Sequence, residues 1–413
     1  MKTVTASAAV AAIPDGATVI FPGGCAEPRE FYAAFSAGVD RFRALTVMSG
    51  FSFGQYGYLE RGLGDHFRFV TWQASARLRK LFGENDRRKL GFVPLRLADL
   101  NRVIHRDGPI KPDVVVVQTS LPTAEGDLSL GISVGPFLDF IDSASLVIAE
   151  MNPHMPVTAG DSRLPLSKVS LATESASALC TYRTPDAQPR DHQILEHVLG
   201  LVPDQAWVQL GIGAVPDRVL PRLADLNGIN LFSGLLTGGL QRFLDKARHT
   251  PKVTVGELAG EQGFYDFCGA TPAIEMARMR VTHNVALMAA LPRFVSINSA
   301  VEIDLQGQSN GETLGALQIS GVGGSMDYVE AAAQSAGGVS IIALPSTTDD
   351  GKHSKIVARL AAGAPVTTPR FAVDCVVTEF GVAHLKGKDL FARADALIAI
   401  AHPDFRDALA NSL

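Results

Sequence analysis

Short runs dense in β-branched residues punctuate this chain: VVVVQTS (114–120), SLVIAEM (145–151), WVQLG (207–211), SIIALPS (340–346) and CVVTE (375–379). Turn residues bound each run, and amphipathic stretches lie between them. A strand that is apolar on successive residues has no polar face to offer water, so it must be covered on both sides, as in a parallel sheet flanked by helices. The expected fold class is α/β. At 413 residues the chain exceeds what one core usually supports, so two domains are expected.

Two distant segments repeat one design. IPDGATVIFPGGCAEPREFYAAF, from Ile13, and VPDQAWVQLGIGAVPDRVLPRL, from Val202, each read as a Pro-Asp turn, a strand, a glycine loop and a helix with proline near its start, where the missing N–H costs nothing. This predicts two related open α/β domains, 1–185 and 186–413. The join falls in TYRTPDAQPRDHQ (181–193), rich in proline and polar residues and without periodicity.

Composition narrows the chemistry. A net charge of −5 with 19% charged residues gives no reason to expect nucleic acid as a partner. Cys25, Cys180, Cys268 and Cys375 lie far apart with no CxxC or Cys/His spacing, which argues against a metal site and a disulfide framework and for a reducing cytoplasm. No apolar run reaches the roughly 18 residues of a membrane span. The start, MKTVTASAAVAAIPDG, is mostly Ala, Val and Thr ahead of a turn and does not read as a secretory signal. The P-loop and HExxH patterns are absent, no Ser/His/Asp nucleophile elbow is expected, and GIGAVPD lacks the GxGxxG spacing of a dinucleotide site.

Three segments could meet an anion. GIGAVPD (211–217) follows a strand and opens a helix, so Gly211, Ile212, Gly213, Ala214 and Val215 offer backbone donors to a phosphate or a developing oxyanion. SGVGGSMDY (320–328), with Gly321, Gly323 and Gly324 ahead of helix-like DYVEAAAQSA, is a second candidate nest. LPSTTDDGKHSKIV (344–357) carries Lys352, His353 and Lys355. Each alone is equally a plain turn or a solvated loop. The basic ARLRKLFGENDRRKL (76–90) is expected to be a solvated helix end. GFSFGQYGY (50–58) is either acyl-pocket lining or an ordinary aromatic cluster.

Taken in order, VQLGIGAVPDRVL, FYDF, SINSAVEIDLQGQ, SGVGGSMDYVEAAAQSAGGVSIIALPST, GAPVTTPR, VVTEFGVAHLKGK and RADALIAIAHPDFRDAL, with GCAEPREF and MNPHMPVTAGDS in the N-terminal half, resemble the acetyl-CoA hydrolase/transferase family. These are the class I coenzyme A transferases that include 4-hydroxybutyrate CoA-transferase. The resemblance spans nearly the whole chain. It implies an enzyme of two α/β domains with its active site in the cleft between them, acting on an acyl-CoA thioester and a small carboxylate or water. It also implies coenzyme A held chiefly by the C-terminal domain, at 211–215 and 321–324, in a homodimer or homotetramer; Lys352, from the 344–357 segment, is the candidate cation for its phosphates. Family enzymes work through a glutamate that attacks the thioester and becomes a glutamyl-CoA intermediate.

That glutamate stands 23 positions after the first glycine of the GIGA-type loop, and here the count from Gly211 ends on Gly234. The family's aspartate four positions on is Gly238. GINLFSGLLTGGL (228–240) thus reads as an active-site loop without its nucleophile. Three readings follow. The enzyme processes acyl-CoA without a glutamyl intermediate, by hydrolysis or direct transfer, in space that the lost side chain vacates. Alternatively, another acid such as Glu27 or Glu302 serves conventional CoA transfer. The third is a catalytically silent CoA-binding subunit. Ser233 is the adjacent hydroxyl candidate, while Glu302 and Glu379 read as ligand-orienting or structural. On the first reading, Gly234→Glu should introduce carboxylate-dependent transfer.

Overall fold

Every continuous apolar run becomes a buried strand, and Val114–Thr119 is buried at all six positions. The computed structural model describes residues 1–413, the side chain of residue 76 excepted. The chain forms two units, Met1–Arg183 with Val253–Thr282, and Thr184–Lys252 with His283–Leu413.

The first unit holds a parallel sheet in the spatial order Lys2–Thr3, Leu171–Glu174, Leu146–Met151, Val114–Thr119, Thr18–Ile20, Leu45–Ser49, Phe67–Thr71, Leu90–Phe92. From Thr18–Ile20 the chain steps one way across the sheet, and from Val114–Thr119 it steps the other. Ligand crevices in open α/β sheets form at the carboxyl ends of strands flanking such a reversal. The Pro22-Gly23-Gly24 loop sits there. Gly23 is obligatory by contact, since a Cβ would lie 2.5 Å from the Phe51 carbonyl oxygen. Helix Arg29–Gly38 then buries Phe31, Tyr32 and Phe35 around Phe21, with centroids 5.0 to 5.8 Å away. Tyr56 and Tyr58 join this aromatic core, whereas Phe51 and Phe53 stay half-buried.

The second unit repeats the plan. Its order is Gly381–His384, Cys375–Thr378, Val339–Ala343, Phe294–Asn298, Trp207–Leu210, Asn230–Thr237, parallel but for the antiparallel edge strand Gly381–His384. The reversal falls between Trp207–Leu210 and Phe294–Asn298, and the 211–213 loop leaves the sheet at that point. The Gly211 N–H donates to the Ile297 carbonyl at 2.9 Å.

Two features differ from the sequence expectation. Residues 253–282, expected within 186–413, group with the first unit. The Val134 and Gly135 amides both donate to the Gly256 carbonyl at 3.1 Å, and Ile274–Met276 pairs with Ala159–Gly160. These pairings are long-range, so nothing local in the sequence marks a boundary at 252/253. The stretch 228–240 is also not a loop. Asn230–Thr237 is a strand and Gly239–Lys246 a helix, because Trp207 and Val208 fix the register of Asn230 and Leu231. The basic 76–90 segment does lie at the surface, with exposed Arg88–Asp86 and partly exposed Lys89–Glu84 ion pairs.

Candidate functional site

Gly213 has φ 122° and ψ −173°, a combination essentially reserved for glycine, and directly precedes helix Ala214–Arg222. Residues 211–214 are half-buried and Val215 is buried, so the loop's amides and the first helical turn reach the surface together. Free N–H groups at a helix start favour an anion. A Cβ on Gly213 would meet nothing within 4 Å, so Gly213→Ala is strained by its backbone alone. It should cost about 1–3 kcal/mol in urea unfolding. In the second nest Gly321 and Gly323 are buried, Gly323 has φ 60°, and Gly324 caps helix Ser325–Gln334.

Gly234 lies mid-strand between these loops in sequence, and its surroundings are not empty. A Cβ there would fall 2.7 Å from the Tyr328 hydroxyl and 2.8 and 3.0 Å from Cε1 and Nε2 of His283. Tyr328 Oη and His283 Nε2 are 3.1 Å apart, with ring centroids at 5.0 Å, and both residues are buried. A Cβ on Gly324 would meet the same imidazole at 2.5 Å. The space expected to stand open beside residue 234 is therefore filled by an imidazole–phenol pair. Burial, and then the Asp327 carboxylate, push the Tyr328 pKa well above the usual tyrosine range, while the Gly234 amide acts the other way. Neither residue stood out in sequence. His283 has no ligand-type spacing, and Tyr328 reads as an ordinary helix residue.

The remaining candidates are held by their own bonds. Ser233 is fully buried, and its hydroxyl turns to the carbonyls of Leu210 (3.1 Å) and Leu235 (3.0 Å), neither of which can take its proton in catalysis. Glu302 accepts from the Asn310 amide at 3.1 Å. Glu379 accepts from the Ser346 N–H at 2.9 Å and its hydroxyl at 2.7 Å. Lys352 is exposed, 3.8 Å from Asp350. Its neighbour Lys355 is half-buried, and burial, then the Arg190 guanidinium, lower its pKa. Arg190 pairs with Asp349, so the enclosed cations of this segment are Arg190 and Lys355 rather than Lys352.

Glu27, Glu150 and Glu257 of the first unit are sequestered, and burial raises the pKa of each, that of Glu150 to about 7. Glu27 accepts from the Ser52 hydroxyl at 3.1 Å, and its carboxyl packs on Gly54; burial raises its pKa. Glu257, on strand Val253–Ala259, is more extreme. Its carboxyl fits against Gly24, where a Cβ would lie 3.0 Å from Oε2, and against Gly135. Oε2 has no hydrogen-bond partner among the described residues. Burial pushes this carboxyl up to about 8, opposed only by the Ser133 hydroxyl. Glu257 was not singled out from sequence, although a charged residue inside the apolar run VTVGELA was the available signal.

Residues 1–180 match the acetyl-CoA hydrolase/transferase N-terminal domain, and residues 260–413 match the C-terminal domain. The chain belongs to the acetyl-CoA hydrolase/transferase family. It is 35% identical to the 4-hydroxybutyrate coenzyme A transferase of Clostridium kluyveri over 99% of this chain and 96% of that protein. Among solved structures, RipA from Yersinia pestis aligns with a TM-score of 0.91 at 28% identity, covering 100% of this chain and 96% of its own. The 4-hydroxybutyrate CoA-transferase of Porphyromonas gingivalis aligns with a TM-score of 0.83 at 30% identity, covering 99% and 96%. No helix among the described residues is long and apolar enough to cross a membrane.

Proposed function

We propose that the protein cleaves an acyl-CoA thioester without a glutamyl-CoA intermediate at position 234, passing the acyl group to water or directly to a small carboxylate. One observation carries this reading: residue 234 has no side chain, and His283 and Tyr328 press against it. Coenzyme A binds with its thioester facing the amide donors of 212–215 and 321–324, since the Gly211 N–H is already engaged by the Ile297 carbonyl. As the carbonyl is attacked its oxygen gains negative charge, and preorganised N–H groups stabilise that charge more than they stabilise the ground state. With no carboxylate at 234, the nucleophile arrives as the second substrate. Glu302 suits the alternative of a replacement nucleophile poorly, because Asn310 already engages its carboxylate. Names among relatives cover both outcomes: beside the transferases, an acetyl-CoA hydrolase of Candida albicans is 26% identical over 72% of this chain and 64% of its own length.

The test is a panel of CoA thioesters incubated with and without acetate, following free CoA, with parallel borohydride and hydroxylamine trapping. The expected result is release of CoA, or acceptor-dependent transfer with sequential kinetics, and no protein adduct. A trapped adduct on any glutamate, Glu257 included, overturns the proposal. CoA binding without turnover of any thioester would mean a silent subunit.

A further inference from the structure

We propose that His283 and Tyr328 form a proton relay that activates water for attack on the thioester, so that hydrolysis rather than transfer is the reaction this site favours. The inference rests on the reading above and narrows it. A carboxylate acceptor attacks as a ready anion and needs no base. Water is a poor nucleophile until something removes its proton. A phenol–imidazole pair is a device for that task and contributes nothing to attack by a carboxylate.

The placement is specific. Tyr328 sits in the first turn of helix Ser325–Gln334, its N–H donating to the Gly324 carbonyl at 3.2 Å, so the glycine nest and the phenol are rigidly coupled. His283 comes from the chain just ahead of helix Val285–Ala289, which Asn284 caps by accepting from the Leu287 N–H. The imidazole lies against both Gly234 and Gly324, at distances that only residues without a Cβ allow. A buried hydroxyl is costly unless it is bonded, and phenylalanine would fill the same volume without that requirement. The phenol is engaged by His283 Nε2 at 3.1 Å.

With His283 in the Nδ1–H tautomer, its Nε2 accepts from the Tyr328 hydroxyl. As the water oxygen bonds to the thioester carbonyl carbon, a water proton passes to Tyr328 Oη and the tyrosine's own proton passes to Nε2. The tetrahedral intermediate collapses with cleavage of the carbon–sulfur bond. The leaving thiolate takes a proton back along the same path, from Nε2 through Tyr328. Water and thioester are consumed, a carboxylic acid and free CoA thiol are formed, and both side chains return to their starting states. Because burial holds the phenol neutral, the concerted hand-over to imidazole is what lets it act as a base.

The experiment uses the full chain with a thioester found to release CoA in the panel. Tyr328→Phe, which keeps the ring, is expected to lower kcat for hydrolysis by about 100-fold. It should leave KM and equilibrium CoA binding near wild type and spare any direct transfer to acetate. A proton inventory in mixed H2O and D2O should be curved for the wild type and linear for Tyr328→Phe. His283→Gln should reproduce the loss of hydrolysis, and if that variant fails to fold, Tyr328→Phe decides alone. Hydrolysis by Tyr328→Phe at the wild-type rate, or a parallel fall in hydrolysis, CoA binding and thermal midpoint, overturns the relay. Absence of CoA release by the wild type from every thioester defeats instead the functional reading on which the relay rests.

Discussion

Glu257→Gln is expected to stabilise the protein more at pH 8 than at pH 5, by about 2–4 kcal/mol in urea unfolding. Below 4.5, the ordinary glutamate value, the carboxyl is neutral in both folded and unfolded chains. As pH rises toward about 8, the unfolded chain ionises while the folded carboxyl keeps its proton. The unfolded state then binds fewer protons, so folding stability falls across this window and levels off above it. At about 1.4 kcal/mol per pKa unit the ceiling on this loss is roughly 5 kcal/mol, and water entry lowers it. Glutamine does not titrate, and any cost of its unpaired amide is common to both pH values. An equal effect at pH 5 and pH 8 would mean that the carboxyl is not held neutral. The carboxyl keeps Oε2 without a hydrogen-bond partner among the described residues and packs against Gly24 and Gly135. Activity of Glu257→Gln should be measured on the same preparations.

The second large effect is at Gly234. Gly234→Ala is expected to cost about 1–3 kcal/mol through overpacking against Tyr328 and His283. Gly234→Glu should lower the thermal midpoint further and gain no acetate-dependent CoA transfer. This reverses what the sequence suggested, since the alignment marks a missing carboxylate but not what has moved into its place. Transfer, and a borohydride-trappable adduct, should appear only when His283→Ala accompanies Gly234→Glu and clears the imidazole. A Gly234→Glu single variant that melts like wild type and transfers CoA would show that the pair swings aside.

What the sequence made legible was whatever local pattern encodes. The runs at 114–120, 145–151 and 340–346 announced buried parallel strands because no other element tolerates them. The Pro-Asp-strand-glycine phrase announced two units of one design, and both glycine loops proved to leave the sheets where strand order reverses. Two things stayed hidden because they depend on pairing across long chain separations. The grouping of Val253–Thr282 with the first unit rests on contacts with residues 132–135 and 159–160, more than a hundred positions away. The His283–Tyr328 pair joins residues 45 positions apart. Ser233 failed as a candidate for the same reason: adjacency in sequence to Gly234 says nothing of the carbonyls its hydroxyl faces.

That discontinuous first unit also bears on how the protein comes into being at the ribosome. Chains emerge at about 5–20 residues per second, and N-terminal domains generally fold first. Here the N-terminal unit lacks Val253–Ala259 and Ile274–Met276 until translation has passed through Thr184–Lys252, which belongs to the other unit. The eight-stranded sheet of the first unit lies wholly within residues 2–174, so what must wait is the glycine-lined niche around Gly24 and Gly135, which lacks Glu257 until then. Release of Met1–Arg183 alone would leave that incomplete form permanently, and the final closure of the first unit is a late event in synthesis rather than an early one.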